Sequence, residues 1–217
     1  MVSPSEGATL ASNNHSPHLP EHHDRRAGTA YHGVTASSRK NPVNRIEHIA
    51  LMASYNQWMN RKLYDAAAKL TDAELALDRQ AFFGSILGTL NHLALGDTVW
   101  LKRFALHPAG YPTLAPLDAI AAPADLKQLA FADIRELTAR RAWLDQLMIN
   151  WVHTVQEPDL DHRLHYHNMR GTAADKDFYS LLVHFFNHQT HHRGQATTLL
   201  SQAGVDVGDT DLLALID

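Results

Sequence analysis

The sequence predicts an all-α protein, a four-helix bundle with one long crossover loop, and three observations carry that expectation. Apolar residues return at three- and four-residue steps in four separate stretches, which gives each stretch one face to bury. Helix-starting and helix-ending chemistry stands at the borders of those stretches, in cap residues, a proline-rich break and a closing glycine. Composition suits a single core: of 217 residues 45% are hydrophobic and 19% charged, and a domain of about 170 residues buries roughly 70% of its unfolded surface. Four long amphipathic helices bury their stripes against one another.

The elements follow in order. Residues 1–43 are rich in Ser, Pro, Asn and His and show no period, so a disordered tail is expected, with His15, His18, His22, His23 and His32 held in no fixed geometry. A bundle domain over 44–217 starts with a helix from Asn44 to about Leu70, in which His48, Leu51, Met52, Tyr55, Trp58, Met59 and Leu63 keep step. Thr71-Asp-Ala-Glu74 spells a capping box for a short helical turn. A second long helix covers about Ser85 to Leu106 along Ile86, Leu90, Leu93, Trp100 and Phe104. Four prolines and one glycine between His107 and Pro123 make the crossover loop.

A third helix is expected from about Ala124 to Val155, through Leu126, Leu129, Ile134, Leu137, Leu144 and Leu147. Glu157 to Asp175 is polar, and the alternation of Leu164 and Tyr166 suits a small hairpin. The fourth helix spans about Asp177 to Ala203 and is closed by Gly204. The terminal Leu212-Leu213-Ala-Leu215-Ile216 is too apolar for a free end, so it docks on its own bundle or, as the other option, on a second subunit in a homodimer.

Charge and composition exclude several function classes. Net charge is −4 with a pI near 6.4, and the cations are scattered, which argues against a nucleic-acid partner. No signal-like apolar region opens the chain and no run of about 18 apolar residues could span a bilayer, so a cytoplasmic protein without a membrane partner is expected. There is no cysteine, hence no disulfide, thiolate ligand or cysteine nucleophile, and any metal must sit on imidazole or oxygen. Histidine, with 16 copies, is the unusual component.

The chemistry concentrates in His184 and His188-Gln-Thr-His-His192-Arg-Gly-Gln195. A four-residue step on a helix returns side chains to one face, so His188 and His192 can aim two imidazoles at one point. The spacing resembles that of helical zinc peptidases, but Gln189 stands where those carry a glutamate base and cannot take a proton from a bound water. Both histidines lie at the edge of the buried stripe formed by Phe178, Leu181, Leu182, Phe185, Ala196, Leu199 and Leu200, so both need partners. Spacing leaves three explanations open: a hydrogen-bonded structural pair, a metal site, or an acid–base dyad.

A metal would want a third ligand. His92 in the second helix is one candidate, equally readable as buried or half-exposed, with His48, His153, His165 and His167 as rivals. His184 reads as a boundary or supporting residue ahead of a ligand, His191 as outward-facing, Arg193 as a surface ion pair ahead of a holder for an anionic group, and Gly194 as a point of close backbone approach.

Three motifs in sequence order, Tyr55-Asn-Gln-Trp-Met-Asn60, Ser85-Ile-Leu-Gly-Thr-Leu-Asn-His92 and His184-Phe-Phe-Asn-His188-Gln-Thr-His-His192-Arg-Gly-Gln195, resemble those of the DinB family of DinB/YfiT-like metalloproteins. The resemblance covers the span from Asn44 to the C-terminus. It implies a four-helix bundle whose second helix supplies one metal ligand and whose fourth supplies an HxxxH pair, which carry over to His92, His188 and His192. It also implies similarity in architecture to bacillithiol and mycothiol S-transferases and to a mycothiol-dependent maleylpyruvate isomerase, which use a divalent metal to bind and activate a thiol. The family name records a DNA-damage-inducible gene and not an action on DNA.

Two readings of function follow. In the first, a divalent metal, zinc or nickel foremost with iron or manganese as alternatives, keeps an open position on His92, His188 and His192 for a transferase or hydrolase reaction on a small molecule or low-molecular-weight thiol. Asp97, Tyr166 or Gln195 would then orient the substrate. In the second, the protein is a non-catalytic metal-binding or stress-response protein whose metal holds the bundle together. An open or protein-filled fourth position separates the two.

Overall fold

A computed structural model describes residues 44–216; the expected tail at 1–43 lies outside the described residues. The first helix, α1 (Arg45–Ala67), begins where Asn44 accepts hydrogen bonds from the backbone of Ile46 and Glu47. Thr71 and Glu74 form the reciprocal capping box of the short α2 (Asp72–Ala76). Ser85 caps α3 (Ile86–Phe104), Asp133 caps α4 (Ile134–Val152), and Asp177 caps α5 (Phe178–Gln202). Each cap satisfies backbone donors that the first helical turn leaves free. Gly204, at φ +79°, ends α5 in the left-handed region that glycine enters at no steric cost.

Between α4 and α5 the polar excursion folds as the expected hairpin, β1 (Arg163–His167) antiparallel to β2 (Ala173–Asp177), in register from Arg163 opposite Asp177 to His167 opposite Ala173. The four long helices contact one another in a ring: α1 packs on α4 and α5, and α3 packs on the same two. Leu63, Leu90, Leu101, Phe104, Trp151, Phe178 and Phe185 fill the middle. None of the described helices is long and apolar enough to cross a membrane.

Two expectations are corrected. The third helix starts at Ile134, ten residues later than periodicity suggested, and Leu129 is 54% exposed. The preceding segment is held by α3: Asn91 accepts from the Phe131 amide at 2.9 Å and donates to its carbonyl at 2.9 Å. That pairing spends backbone groups a helix would need. The crossover loop also carries a 3₁₀ helix, Pro112–Ala119, with proline at its start, where a missing amide hydrogen costs nothing.

The C-terminal segment docks in cis along α1. Tyr55 donates to the Thr210 carbonyl at 2.7 Å and Lys62 donates to that of Asp209, bringing the 3₁₀ turn Leu212–Leu215 against the helix. Leu213 nevertheless remains 75% exposed.

Candidate metal centre

His92 on α3 and His188 and His192 on α5 meet across the seam between these helices, with one ring nitrogen from each lying within 4.8 Å of the other two. Their rings are centred 4.4 to 5.2 Å apart. The choice between a buried and a half-exposed His92 is settled by packing, since it is 5% exposed. Gly96, one turn along α3, allows the approach, because a β-carbon there would lie 3.2 Å from Cε1 of His188.

Outer hydrogen bonds fix two of the three tautomers. The Leu126 carbonyl accepts from Nδ1 of His92 at 3.1 Å, and Oε1 of Gln195 accepts from Nδ1 of His192 at 2.7 Å. Each bond places the proton on Nδ1 and leaves Nε2 with a bare lone pair. Nε2 of His92 faces Nε2 of His188 at 3.3 Å, while Nδ1 of His188 is buried without a partner. Burial, joined by mutual repulsion of the imidazoles, drives His188 down to about 3. Burial lowers His92 and His192 as well, against the opposing pull of Leu126 and Gln195 respectively. Three neutral imidazoles with converging ring nitrogens form a donor set that suits a divalent ion.

Phe83 covers one side of the centre. Its ring stacks on His92 at 3.9 Å and meets His192 edge-on at 5.4 Å. The backbone reverses at Gly84, φ +74°, to bring it there. Gly88 completes the approach, because a β-carbon at that position would collide with the Phe83 carbonyl.

The rival histidines stand elsewhere. His48 is exposed and lies 3.2 Å from the Tyr179 hydroxyl, and His153, His165 and His167 are exposed. His184 is exposed beside Trp100, its ring 6.0 Å from that of His188, and is hydrogen-bonded to none of the triad. His191 points outward, as its helical position implied.

Several further residues have other roles than sequence suggested. Gln195 braces His192, and its amide Nε2 reaches His191 at 3.3 Å. Asp97 is fully buried and accepts from Arg141 at 2.5 Å, in a network where Arg141 also lies 2.9 Å from Asp145 and where Asn56 and Asn60 donate to Asp145. Arg193 is no surface ion pair: it is buried, donates to Asn56 and Thr190, and ties α5 to α1. A β-carbon at Gly194 would meet nothing within 4 Å, so the close approach belongs to Gly96 and Gly88 instead. Sequence reasoning missed the Leu126 carbonyl, which no side-chain pattern could reveal.

The fold and site define a mostly helical protein with a buried three-histidine cluster able to hold a metal ion. The DinB family model matches residues 40–217, and the chain belongs to the DinB family. It is similar to Protein DinB of Bacillus subtilis (strain 168), 30% identical over 158 residues that cover 72% of this chain and 87% of the relative. No solved structure matches the chain.

Proposed function

We propose that this protein is a divalent-metal-dependent transferase or hydrolase on a four-helix bundle, with His92, His188 and His192 as the metal ligands and a small molecule or low-molecular-weight thiol as its substrate. The observation that carries this reading is the convergence of three imidazoles, two of which have their tautomers set by Leu126 and Gln195. Two outer-shell hydrogen bonds aiming the free nitrogens inward are what metal sites need. Three protein ligands are also the number found in zinc sites that keep a position for water or substrate. A bound divalent ion supplies a Lewis acid that favours hydroxide or thiolate near neutral pH.

The protein's own contribution is to hold the rings neutral, to fix their direction, and to keep one side dry under Phe83. Gln189 carries no titratable group, so that position supplies no base to the centre. Metal analysis of protein purified without a histidine tag tests the ligand set: near-stoichiometric metal in the native chain, and loss of most of it in each of His92→Ala, His188→Ala and His192→Ala. Full retention in His92→Ala would refute the assignment. Binding of 2-mercaptoethanol to the cobalt-loaded protein, read by a thiolate-to-metal absorption band, separates an open site from a closed one.

A further inference from the structure

On α3, His92, Gly96, Val99 and Arg103 follow one another at three- and four-residue steps, so Arg103 lies on the face that carries the histidine centre. Its guanidinium packs against two rings that touch each other edge-on, 4.6 Å from the centre of Trp100 and 4.9 Å from that of Tyr166 on β1, the ring centres being 5.7 Å apart. Trp100 in turn meets His184 at 5.1 Å, and His184 lies one turn from His188 along α5. The sequence Arg103, Trp100, His184, His188 is therefore a continuous strip along the α3–α5 seam, walled by the hairpin at one end and by the triad at the other.

The Arg103 side chain makes no hydrogen bond or ion pair among the described residues, whereas several other arginines are ion-paired. Arg45 holds Glu157 and Asp161, Arg135 holds Asp133, Arg141 holds Asp97 and Asp145, and Arg163 holds Asp175. Arg103 is also half-buried, and that burial lowers its pKa. Aromatic rings can stabilise the faces of a guanidinium but leave its edge of N–H donors unused, and that edge matches a carboxylate in bidentate geometry.

We propose that Arg103, packed against Trp100 and Tyr166, is the carboxylate-binding end of a substrate strip whose reactive end is the histidine triad. His188 touches α3 at Gly96, seven residues and roughly 10 Å of helical rise before Arg103. The carboxylate is thus held roughly 10 Å from the metal-binding nitrogens, with the middle of the molecule lying over Trp100 and His184. The substrate class is an anionic molecule of that length with an apolar or planar centre. This deepens the proposed function and rests on it.

The test uses the cobalt-loaded full-length protein and two series of thiols, ω-mercaptocarboxylates from 3-mercaptopropionate through 6-mercaptohexanoate and 8-mercaptooctanoate to 11-mercaptoundecanoate, and the ω-mercaptoalcohols of equal length. The thiolate-to-cobalt band reports affinity. The expected result is a preference for acid over alcohol of about tenfold, greatest at the six- to eight-carbon chains and absent at the shortest. Arg103→Gln should abolish that preference while leaving the alcohol affinities and cobalt content unchanged, and Arg103→Lys should keep part of it. Equal affinities for acid and alcohol at every length, or a preference that survives Arg103→Gln, would overturn the proposal. Absence of the band with every thiol would refute the thiol reading above and leave Arg103 to be judged by NMR. In that case its Nε–H resonance should shift saturably on titration with octanoate, and no shift would overturn the subsite too.

Discussion

Replacing Gly96 by alanine should set stability and metal binding against each other. A glycine inside a helix is about 1 kcal/mol less favourable than alanine, so the backbone of α3 gains on substitution. The new methyl, however, would stand 3.2 Å from Cε1 and 3.9 Å from Nδ1 of His188. Relief to ordinary contact requires the ring to move by a few tenths of an ångström, as much as the ~0.2 Å tolerance of a metal–ligand bond. Misplaced ligand support typically costs 10- to 100-fold in metal affinity, about 1.4 to 2.8 kcal/mol. Gly194→Ala is the matched control on α5, because nothing lies within 4 Å of its β-carbon position. Thermal melts of both metal-free variants and zinc competition against a chelator give the two readouts. We expect Gly194→Ala to gain stability with unchanged zinc affinity, and Gly96→Ala to lose zinc affinity whatever its melting temperature does. Native zinc affinity in Gly96→Ala would refute the claim that α3 sets the position of His188.

Other outcomes follow from the same geometry. Gln195→Leu removes the acceptor on Nδ1 of His192 and should weaken metal binding by about 10- to 100-fold, whereas His184→Ala, which loses no hydrogen bond to the triad, should leave it unchanged; chelator competition measures both. Acid should destabilise the metal-free protein. His92, His188 and His192 have folded pKa values below the ordinary 6.5, so the unfolded chain binds more protons, and stability present above pH 6.5 is lost as pH falls through the folded values toward about 3. Urea midpoints that rise on going from pH 7 to pH 5 would contradict this. Arg141→Met leaves Asp97 and Asp145 buried without their cation and should cost about 3 to 5 kcal/mol in denaturant unfolding, with Asp97→Asn less damaging.

Features that depend on local spacing were legible in the chain itself. The four long helices were legible because their stripes repeat every three to four residues, and the starts of three of them because Asn44, Ser85 and Asp177 cap them with their own side chains. The pairing of His188 with His192 was legible for the same reason, since both stand on one helix. Residues 124–133 were misread because their apolar spacing is helical, while Asn91 takes up the backbone groups of Phe131. The rest of the site needed tertiary structure. His92 stands 96 residues from His188, and only the packing of α3 on α5 through Gly96 decides that it, and not His48 or His165, completes the centre. The fates of Arg193 and Asp97 were likewise decided by burial, which a one-dimensional pattern registers only as a charge on a helix. The Leu126 carbonyl that orients His92 leaves no mark at all, because every residue carries the same backbone acceptor and the fold alone selects which one is used.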